Sequence, residues 1–344
     1  MIAPRAAERF DAVVQAIRGH ERFLVQTHNN PDPDSIACAL ALRHVIRAET
    51  GKDAVIAFGG VVGRSENRAL VRELAIPMVP GALVDYAAYD FTAVCDTQPG
   101  TNFTSFPDGF VPTVVIDHHA RRPETARARV AIVEPSYGAT STIVGEMLLA
   151  KGVEIPTDIA TALYYAIRAE TQELARDASE TDIAVYRELE RRVDRRALSR
   201  IETGRVSREY YSEVLAAVRS ARVHDDVLVA DLGPVSVPDI VAEMADFLLR
   251  WEGARWSCVV GEHRSTLYVS LRTGDPDADA GATLRKVIAG MGSGGGHPSM
   301  AGGQVPFARF LPDEKEAAKR TFFEEFLRLT GAAEAPPEPL VPLR

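Results

Sequence analysis

The chain has 344 residues, of which 46% are hydrophobic and 25% charged, and its formal net charge is −9. This length allows two domains with separate cores, and the negative charge excludes a surface built mainly to bind long duplex nucleic acid. No apolar run approaches the roughly 18 residues of a membrane span. The first ten residues lack a signal-peptide pattern, and the three cysteines are scattered. We therefore expect a cytoplasmic protein with reduced thiols and no membrane contact.

The first half of the chain alternates short apolar runs with stretches of helical periodicity. The predicted strands are residues 23–27, 53–58, 91–95, 113–116 and 129–133. The predicted helices are residues 5–19, 35–49, 65–74, 139–151 and 158–169. This alternation is typical of a doubly wound parallel sheet.

The pattern changes near residue 181. Residues 181–222 are predicted to be largely helical and are rich in arginine, with acidic residues between the arginines. This mixture favours a solvated connector, and a basic wall along a cleft is the alternative. Strands then return at 227–230, 256–260 and 266–270, with a helix at 239–250.

We therefore predict an α/β protein with its active site in the cleft between two domains. The predicted parts are a doubly wound catalytic domain (1–185), a helical linker (186–224), a smaller α/β domain (225–331) and a poorly ordered tail (332–344).

Polar clusters follow three of the predicted strands. His28, Asp32 and Asp34 come after the first strand, Asp96 follows the strand at 91–95, and His118 follows the strand at 113–116. The carboxyl ends of parallel strands face one crevice, so we expect these side chains to meet. Any single Asp after a strand can be a simple helix cap.

Such a set of ligands is chemically suited to metal ions. Mixed imidazole and carboxylate ligands suit Mn²⁺, Fe²⁺ or Zn²⁺, and several carboxylates in one crevice repel each other without cations. Two divalent ions sharing a carboxylate would neutralise that charge and activate a water molecule. The pattern predicts a metal-dependent hydrolase.

A second candidate site lies near the C-terminus. Residues 292–303 are too rich in glycine for a regular strand or helix, and we predict a loop. The N–H groups of Gly294, Gly295 and Gly296 can form an anion-binding nest there, and His297 can donate to phosphate. Arg272 ends a predicted strand and can bind a phosphate bidentately. A flexible turn is the structural alternative.

Together these motifs resemble those of the DHH phosphoesterase family, which takes its name from the sequence Asp117-His118-His119. The segment from His28 to Asp34 resembles the first family motif, Asp96 the second, and Gly294 to His297 the signature of the DHH-associated C-terminal domain. The resemblance covers most of the chain. It is strongest to the RecJ-like group of bacterial oligoribonucleases and phosphoadenosine-phosphate phosphatases.

The resemblance implies a role for each of these residues. Two divalent ions, expected to be Mn²⁺, would be held by His28, Asp32, Asp34, Asp96, His118 and Glu170. Asp96 would bridge the ions, His119 would contact the scissile phosphate, and Asp117 would orient the histidines. Arg272, the glycines and His297 would bind substrate. Glu170 departs from the family, which usually has Asp before the following Thr.

The expected function is two-metal-dependent hydrolysis of short oligonucleotides or of phosphoadenosine-phosphate-type nucleotides. The alternatives are a phosphodiesterase for cyclic or linear dinucleotides, a pyrophosphatase or polyphosphatase, and a non-catalytic nucleotide-binding module. The expected partner is a short oligonucleotide or nucleotide, without long duplex nucleic acid, and the family resemblance is compatible with a homodimer.

Overall fold

The computed structural model describes residues 4–101, 104, 106, 107 and 109–342. The chain forms two compact units, residues 1–205 and residues 206–344, called here the N-terminal unit and the C-terminal unit. Among the described residues, no helix combines the length and the apolar character needed to cross a bilayer.

The N-terminal unit is built on a six-stranded sheet in which every pairing is parallel. Its strands are β1 Phe23–Asn29, β2 Ala54–Gly59, β3 Met78–Pro80, β4 Phe91–Cys95, β5 Val114–Asp117 and β6 Val130–Val133. Its helices are α1 Pro4–Ile17, α2 Pro33–Thr50, α3 Ser65–Glu73, α4 Thr140–Ala150, α5 Thr157–Glu170, α6 Glu180–Glu190 and α7 Arg195–Glu202.

The order of strands in this sheet is β3-β2-β1-β4-β5-β6. The chain first winds outward from β1 and then returns to start β4 on the other side of β1. This reversal is the topological switch point of a doubly wound sheet, where a crevice opens at the carboxyl ends of the strands. The predicted fold class is confirmed.

Local sequence explains why the elements beside this crevice form. Phe23, Leu24 and Val25 are fully or almost fully buried, as expected for a parallel strand covered on both faces. The side chain of Asp32 accepts a hydrogen bond from the N–H group of Ser35 and caps α2. The helix thus begins directly after the β1 loop.

The C-terminal unit contains a seven-stranded sheet in the order β11-β12-β10-β9-β8-β7-β13, which is antiparallel except between β8 and β9. Its strands are β7 Arg222–His224, β8 Val227–Pro234, β9 Trp256–His263, β10 Thr266–Thr273, β11 Ser293–Gly296, β12 Met300–Pro306 and β13 Glu338–Pro339. Its helices are α8 Arg208–Ser220, α9 Asp239–Leu248, α10 Ala280–Val287 and α11 Pro312–Thr330.

The glycine-rich segment corrects one prediction. It forms an antiparallel hairpin, with β11 at the edge of the sheet, whereas the sequence predicts a loop. A Cβ atom on Gly294 would lie 2.8 Å from the carbonyl oxygen of Gly302, so the absent side chains let the two backbones approach. Strand pairing outweighs the intrinsic cost of glycine here, and the extended backbone over Ser293–Gly296 differs from the predicted nest.

The predicted linker and tail also differ from the structure. Residues 186–224 divide between the two units, because Leu189, Leu198 and Ile201 on α6 and α7 are buried in the N-terminal core. The high density of arginine around these apolar positions obscured their periodicity. The tail is partly a strand, since β13 pairs with β7 and the N–H group of Leu340 donates to the carbonyl of Ala221.

Candidate metal centre

The carboxyl ends of β1, β4 and β5 bring two groups of potential metal ligands together. The first group is His28, Asp32 and Asp96, and the second is Asp96, His118 and His119. Within each group the ligand atoms lie within 4.8 Å of one another. Asp96 belongs to both groups, which is the arrangement expected of a carboxylate between two ions.

Asp96 follows β4 in an unusual backbone conformation. Its φ angle is +59°, in the left-handed region that Asp tolerates better than most residues. Its N–H group donates to the carbonyl of Ile116 at 2.9 Å, which ties the turn to β5. The hydroxyl of Thr140 donates to its Oδ1 atom at 2.7 Å. The carboxylate is therefore fixed at the switch point.

The rings of His28 and His118 are held in a common manner. Each Nδ1 atom donates to a backbone carbonyl, that of Asn29 at 2.9 Å and that of Tyr137 at 3.1 Å. Nε2 of His28 lies 3.5 Å from Oδ2 of Asp96, and Nε2 of His118 lies 3.7 Å from Oδ1 of Asp96. A histidine whose Nδ1–H is fixed in this way can present Nε2 to a metal ion, so the donor set fits a divalent cation.

The carboxylates beside His28 change its protonation and are changed by it in turn. Burial alone would lower the pKa of His28, but the charges and hydrogen bonds of Asp32 and Asp96 raise this pKa well above its usual value. Burial would raise the pKa of Asp32, yet His28 and the N–H group of Ser35 hold this pKa well below its usual range. The protonated form of His28 is thus stabilised between these carboxylates.

Asp34 lies on the first turn of α2 and differs from the other carboxylates. It is 1% exposed, and its two oxygens accept the N–H groups of Thr140 and Ser141 at 2.7 Å each. Burial and the nearby charge of Asp96 raise its pKa well above the usual value. Asp34 therefore joins α2 to the N-terminus of α4, and it is a member of neither ligand group among the described residues.

Glu170 is the last residue of α5 and is about a quarter exposed. Its Oε1 atom lies 3.2 Å from the guanidinium of Arg176, which also donates to the Glu170 carbonyl. Burial and the charge of Asp32 raise the pKa of Glu170. Like Asp34, Glu170 lies outside both ligand groups of the described chain, and its role as a metal ligand stays a prediction.

His119 is oriented by a chain of hydrogen bonds. Its Nδ1 atom donates to Oδ1 of Asp117 at 2.8 Å, and Oδ2 of Asp117 accepts from the side-chain amide of Gln98 at 2.6 Å. Burial would lower the pKa of His119, but this hydrogen bond and the nearby carboxylates raise it to about 10. Sequence reasoning missed Gln98, because no motif or periodicity marks it.

The predicted substrate-binding residues lie in the C-terminal unit. Arg272 is 7% exposed, and its guanidinium donates to Asp246, to Oγ of Ser270 at 2.7 Å and to the carbonyl of Leu271 at 2.9 Å. His297 follows β11, is exposed, and donates its backbone N–H to the carbonyl of Met300. That these residues share a cleft with the metal centre stays a prediction.

Fold and site together define a two-unit α/β protein with a cluster of potential metal ligands at the switch point of its parallel sheet. The chain matches the DHH family, N-terminal domain, over residues 22–167 and the DHHA1 domain over residues 224–328. It belongs to the DHH family.

Several known proteins are similar to this chain. An uncharacterized protein from Methanocaldococcus jannaschii is 32% identical over 308 residues, which cover 89% of this chain and 62% of the relative. An exopolyphosphatase-related protein from Bacteroides fragilis has a similar structure, with a TM-score of 0.73, 15% identity, and coverage of 94% of this chain and 98% of that one.

RecJ from Thermus thermophilus, solved in complex with Mn²⁺, also shares the fold. Its TM-score is 0.53 at 14% identity, and the similarity covers 95% of this chain and 56% of RecJ. The chain thus spans about three-fifths of the length of its curated relative and a little over half of RecJ.

Proposed function

We propose that this protein is a metal-dependent phosphoesterase that hydrolyses short oligonucleotides or phosphoadenosine-phosphate-type nucleotides. The observation that carries the proposal is the pair of ligand groups that share Asp96 at the switch point. Two divalent ions bound there would polarise a phosphoryl group and activate a water molecule. The Mn²⁺ in the RecJ structure supports the choice of this ion for the test.

The protein residues have separate roles in this proposal. His28, Asp32, Asp96 and His118 would hold the ions, which would polarise the phosphoryl group and activate water. Asp34 and Glu170 are the further proposed ligands of these ions, and each lies near other carboxylates of the same crevice. In this proposal His119 keeps its Nδ1 proton on Asp117 and donates from Nε2 to a phosphoryl oxygen or to the leaving oxygen.

In this proposal, residues of the C-terminal unit bind the substrate. Its edge strand β11 has glycine at 294, 295 and 296, and the absence of side chains there would let a ligand approach the backbone closely. Arg272 and His297 are the proposed side-chain contacts. The proposed partner is a short oligonucleotide or nucleotide rather than a long duplex, and a homodimer is the proposed assembly.

A substrate panel tests the proposal. The purified protein with Mn²⁺ is assayed in parallel on 5′-phosphorylated di- to pentanucleotides, phosphoadenosine phosphate, linear and cyclic dinucleotides, pyrophosphate and polyphosphate. We expect release of mononucleotide or phosphate from the first two substrates. Asp96→Asn is the control, since Asn tolerates the same backbone conformation and removes the shared charge.

Each other result assigns a different function. Turnover only of cyclic or linear dinucleotides, or only of pyrophosphate or polyphosphate, would replace the proposed substrate class. Tight nucleotide binding without turnover would indicate a binding module. Equal turnover by the parent and Asp96→Asn would place the activity outside this centre and overturn the proposal.

A further inference from the structure

We propose that Gln98 is a positioning residue that fixes the orientation of His119 through Asp117. The assignment rests on the proposed function, because it gives His119 a role toward a phosphoryl group. Gln98 lies two residues beyond Asp96, is 2% exposed, and makes four side-chain hydrogen bonds.

The backbone around Gln98 allows its amide only one orientation. The N–H group of Arg122 lies 2.8 Å from Oε1, and a backbone N–H can only donate. On the other side, the carbonyl of Ala120 lies 3.0 Å from Nε2 and can only accept. If the amide were flipped, its NH₂ group would face the N–H group of Arg122 and its oxygen would face the carbonyl oxygen of Ala120, so neither pair could form a hydrogen bond. The Nε2–H₂ group must therefore face Ala120 and Asp117.

This fixed orientation determines the polarity of the next two bonds. Because Gln98 can only donate toward Asp117, Oδ2 of Asp117 must accept, at 2.6 Å. The other oxygen, Oδ1, then accepts from Nδ1 of His119 at 2.8 Å. A proton of His119 is thus held on Nδ1, and this bond fixes the orientation of the ring.

Thr125 also holds the amide of Gln98 in this orientation. The hydroxyl of Thr125 is fully buried and donates to Oε1 of Gln98 at 2.7 Å. The short helical turn Pro123–Arg127 that carries Thr125 is thereby joined to the histidine through two side chains. Buried networks of this kind are rigid only while every member has its partner.

Three variants test the chain of bonds. Gln98→Glu keeps the shape but replaces the donor at Nε2 with an acceptor, Gln98→Met keeps the length without hydrogen bonds, and Thr125→Val removes the hydroxyl donor. We expect kcat for the substrate found in the panel to fall about 10–100-fold in the Gln98 variants, the usual range for residues that orient a functional histidine. KM should stay close to the parent value.

Two matched controls separate positioning from general structure. Thr125→Ser retains the hydroxyl and should restore parent behaviour. Thr101→Val makes the same change as Thr125→Val, the loss of a threonine hydroxyl. The hydroxyl of Thr101, however, donates to the backbone carbonyl of Gln98 at 3.2 Å and does not contact the side-chain amide. We expect Thr101→Val to leave kcat unchanged.

A spectroscopic measurement makes the test independent of turnover. The protein has eight histidines, so histidine-selective ¹⁵N labelling yields few ring signals, recorded with Mg²⁺ to avoid paramagnetic Mn²⁺. We expect a low-field Nδ1–H resonance of His119 in the parent, Thr125→Ser and Thr101→Val, and its shift or loss in Gln98→Met and Thr125→Val.

The two proposals fail in different ways. Absence of turnover on the whole panel would reject the proposed function, and the His119 resonance would still decide the role of Gln98. An unchanged resonance in Gln98→Met and Thr125→Val would overturn the positioning role, as would an equal loss in Thr101→Val. If the Gln98 variants fail to fold, the Thr125 pair gives the answer.

Discussion

The left-handed turn at Asp96 combines a strained backbone with a shared carboxylate. A non-glycine residue at φ +59° costs free energy unless its side chain suits that region, and Asp and Asn suit it best. The turn is retained because its N–H group and its carboxylate both have fixed partners, Ile116 and Thr140. The strain is thus linked to the position of the ligand.

Substitution of Asp96 should separate backbone strain from metal binding. We expect Asp96→Ala to lower the free energy of unfolding by about 1–2 kcal/mol, since Ala is less tolerant of the left-handed conformation, and Asp96→Asn to lower it less. Both variants should lose the Mn²⁺-dependent rise in melting temperature. Chemical denaturation and thermal melts with and without Mn²⁺ measure these effects. A Mn²⁺ effect in Asp96→Asn as large as in the parent would contradict the shared-ligand geometry.

Glu170 provides a second test at the level of one residue. If it ligates an ion as predicted, Glu170→Ala should weaken or abolish binding of one of two Mn²⁺ ions, as measured by titration calorimetry. Glu173→Ala is the matched control, because Glu173 lies on the same turn and pairs with Arg168. Unchanged stoichiometry and affinity in Glu170→Ala would show that the ion pair with Arg176 is its whole role.

The sequence pointed to the residues of the two ligand groups, whose role as metal ligands stays a prediction, but not to the residues that support them. His28, Asp96 and His118 could be found because each follows an apolar run, and strand ends converge in a parallel sheet. Gln98 acts through hydrogen bonds to Asp117 and to residues near 120–125, and Arg176 acts through contacts with Glu170 around a turn. Such contacts depend on tertiary placement and leave no periodic pattern in the chain.

At the scale of elements, the turn after α5 is the most strained segment beside the site. Gln172, Glu173 and Leu174 have consecutive φ angles of 47°, 62° and 65°. Each such residue is less stable than glycine in this region by about 1 kcal/mol. The turn directs the chain from Glu170 back toward Arg176, which donates to Glu170.

Substitutions at Gln172, which is exposed, should reveal this strain. We expect Gln172→Val to lower the free energy of unfolding by about 1–2 kcal/mol, because a β-branched residue is poorest in the left-handed region. Gln172→Gly should be neutral or stabilising by up to about 1 kcal/mol. Urea denaturation measures both, and a Val variant as stable as the Gly variant would argue against the left-handed turn.

The element predictions show where sequence patterns are informative. The strands and helices of the N-terminal sheet could be predicted because buried parallel strands are continuous apolar runs. The hairpin of β11 and β12 could not, since glycine is depleted in strands generally and is favoured here only by the close approach of the partner backbone. The short strand β13 is held by pairing with β7, which no local pattern indicates.

At the scale of the molecule, the ligand groups and the tryptophans lie in different units. Both ligand groups belong to the N-terminal unit, whereas Trp251 and Trp256, the only two tryptophans of the chain, belong to the C-terminal unit. Tryptophan fluorescence therefore reports on one unit, and far-UV circular dichroism reports on both.

This division predicts how Mn²⁺ changes thermal unfolding. A ligand stabilises the folded state that binds it, by about 2.7 kcal/mol at a concentration 100 times the dissociation constant. We expect Mn²⁺ to raise the midpoint seen by circular dichroism more than the midpoint seen by tryptophan fluorescence. Equal shifts by both probes would show instead that the two units unfold together.

The crowding of carboxylates at the switch point has a consequence for the order of binding events. The acidic groups there are Asp32, Asp34, Asp96, Asp117 and Glu170. A phosphate-bearing molecule that arrives first meets a negative potential, whereas one that arrives after the cations meets a largely neutralised surface. Assembly should therefore be ordered, with the cations entering before any phosphorylated ligand and leaving after it.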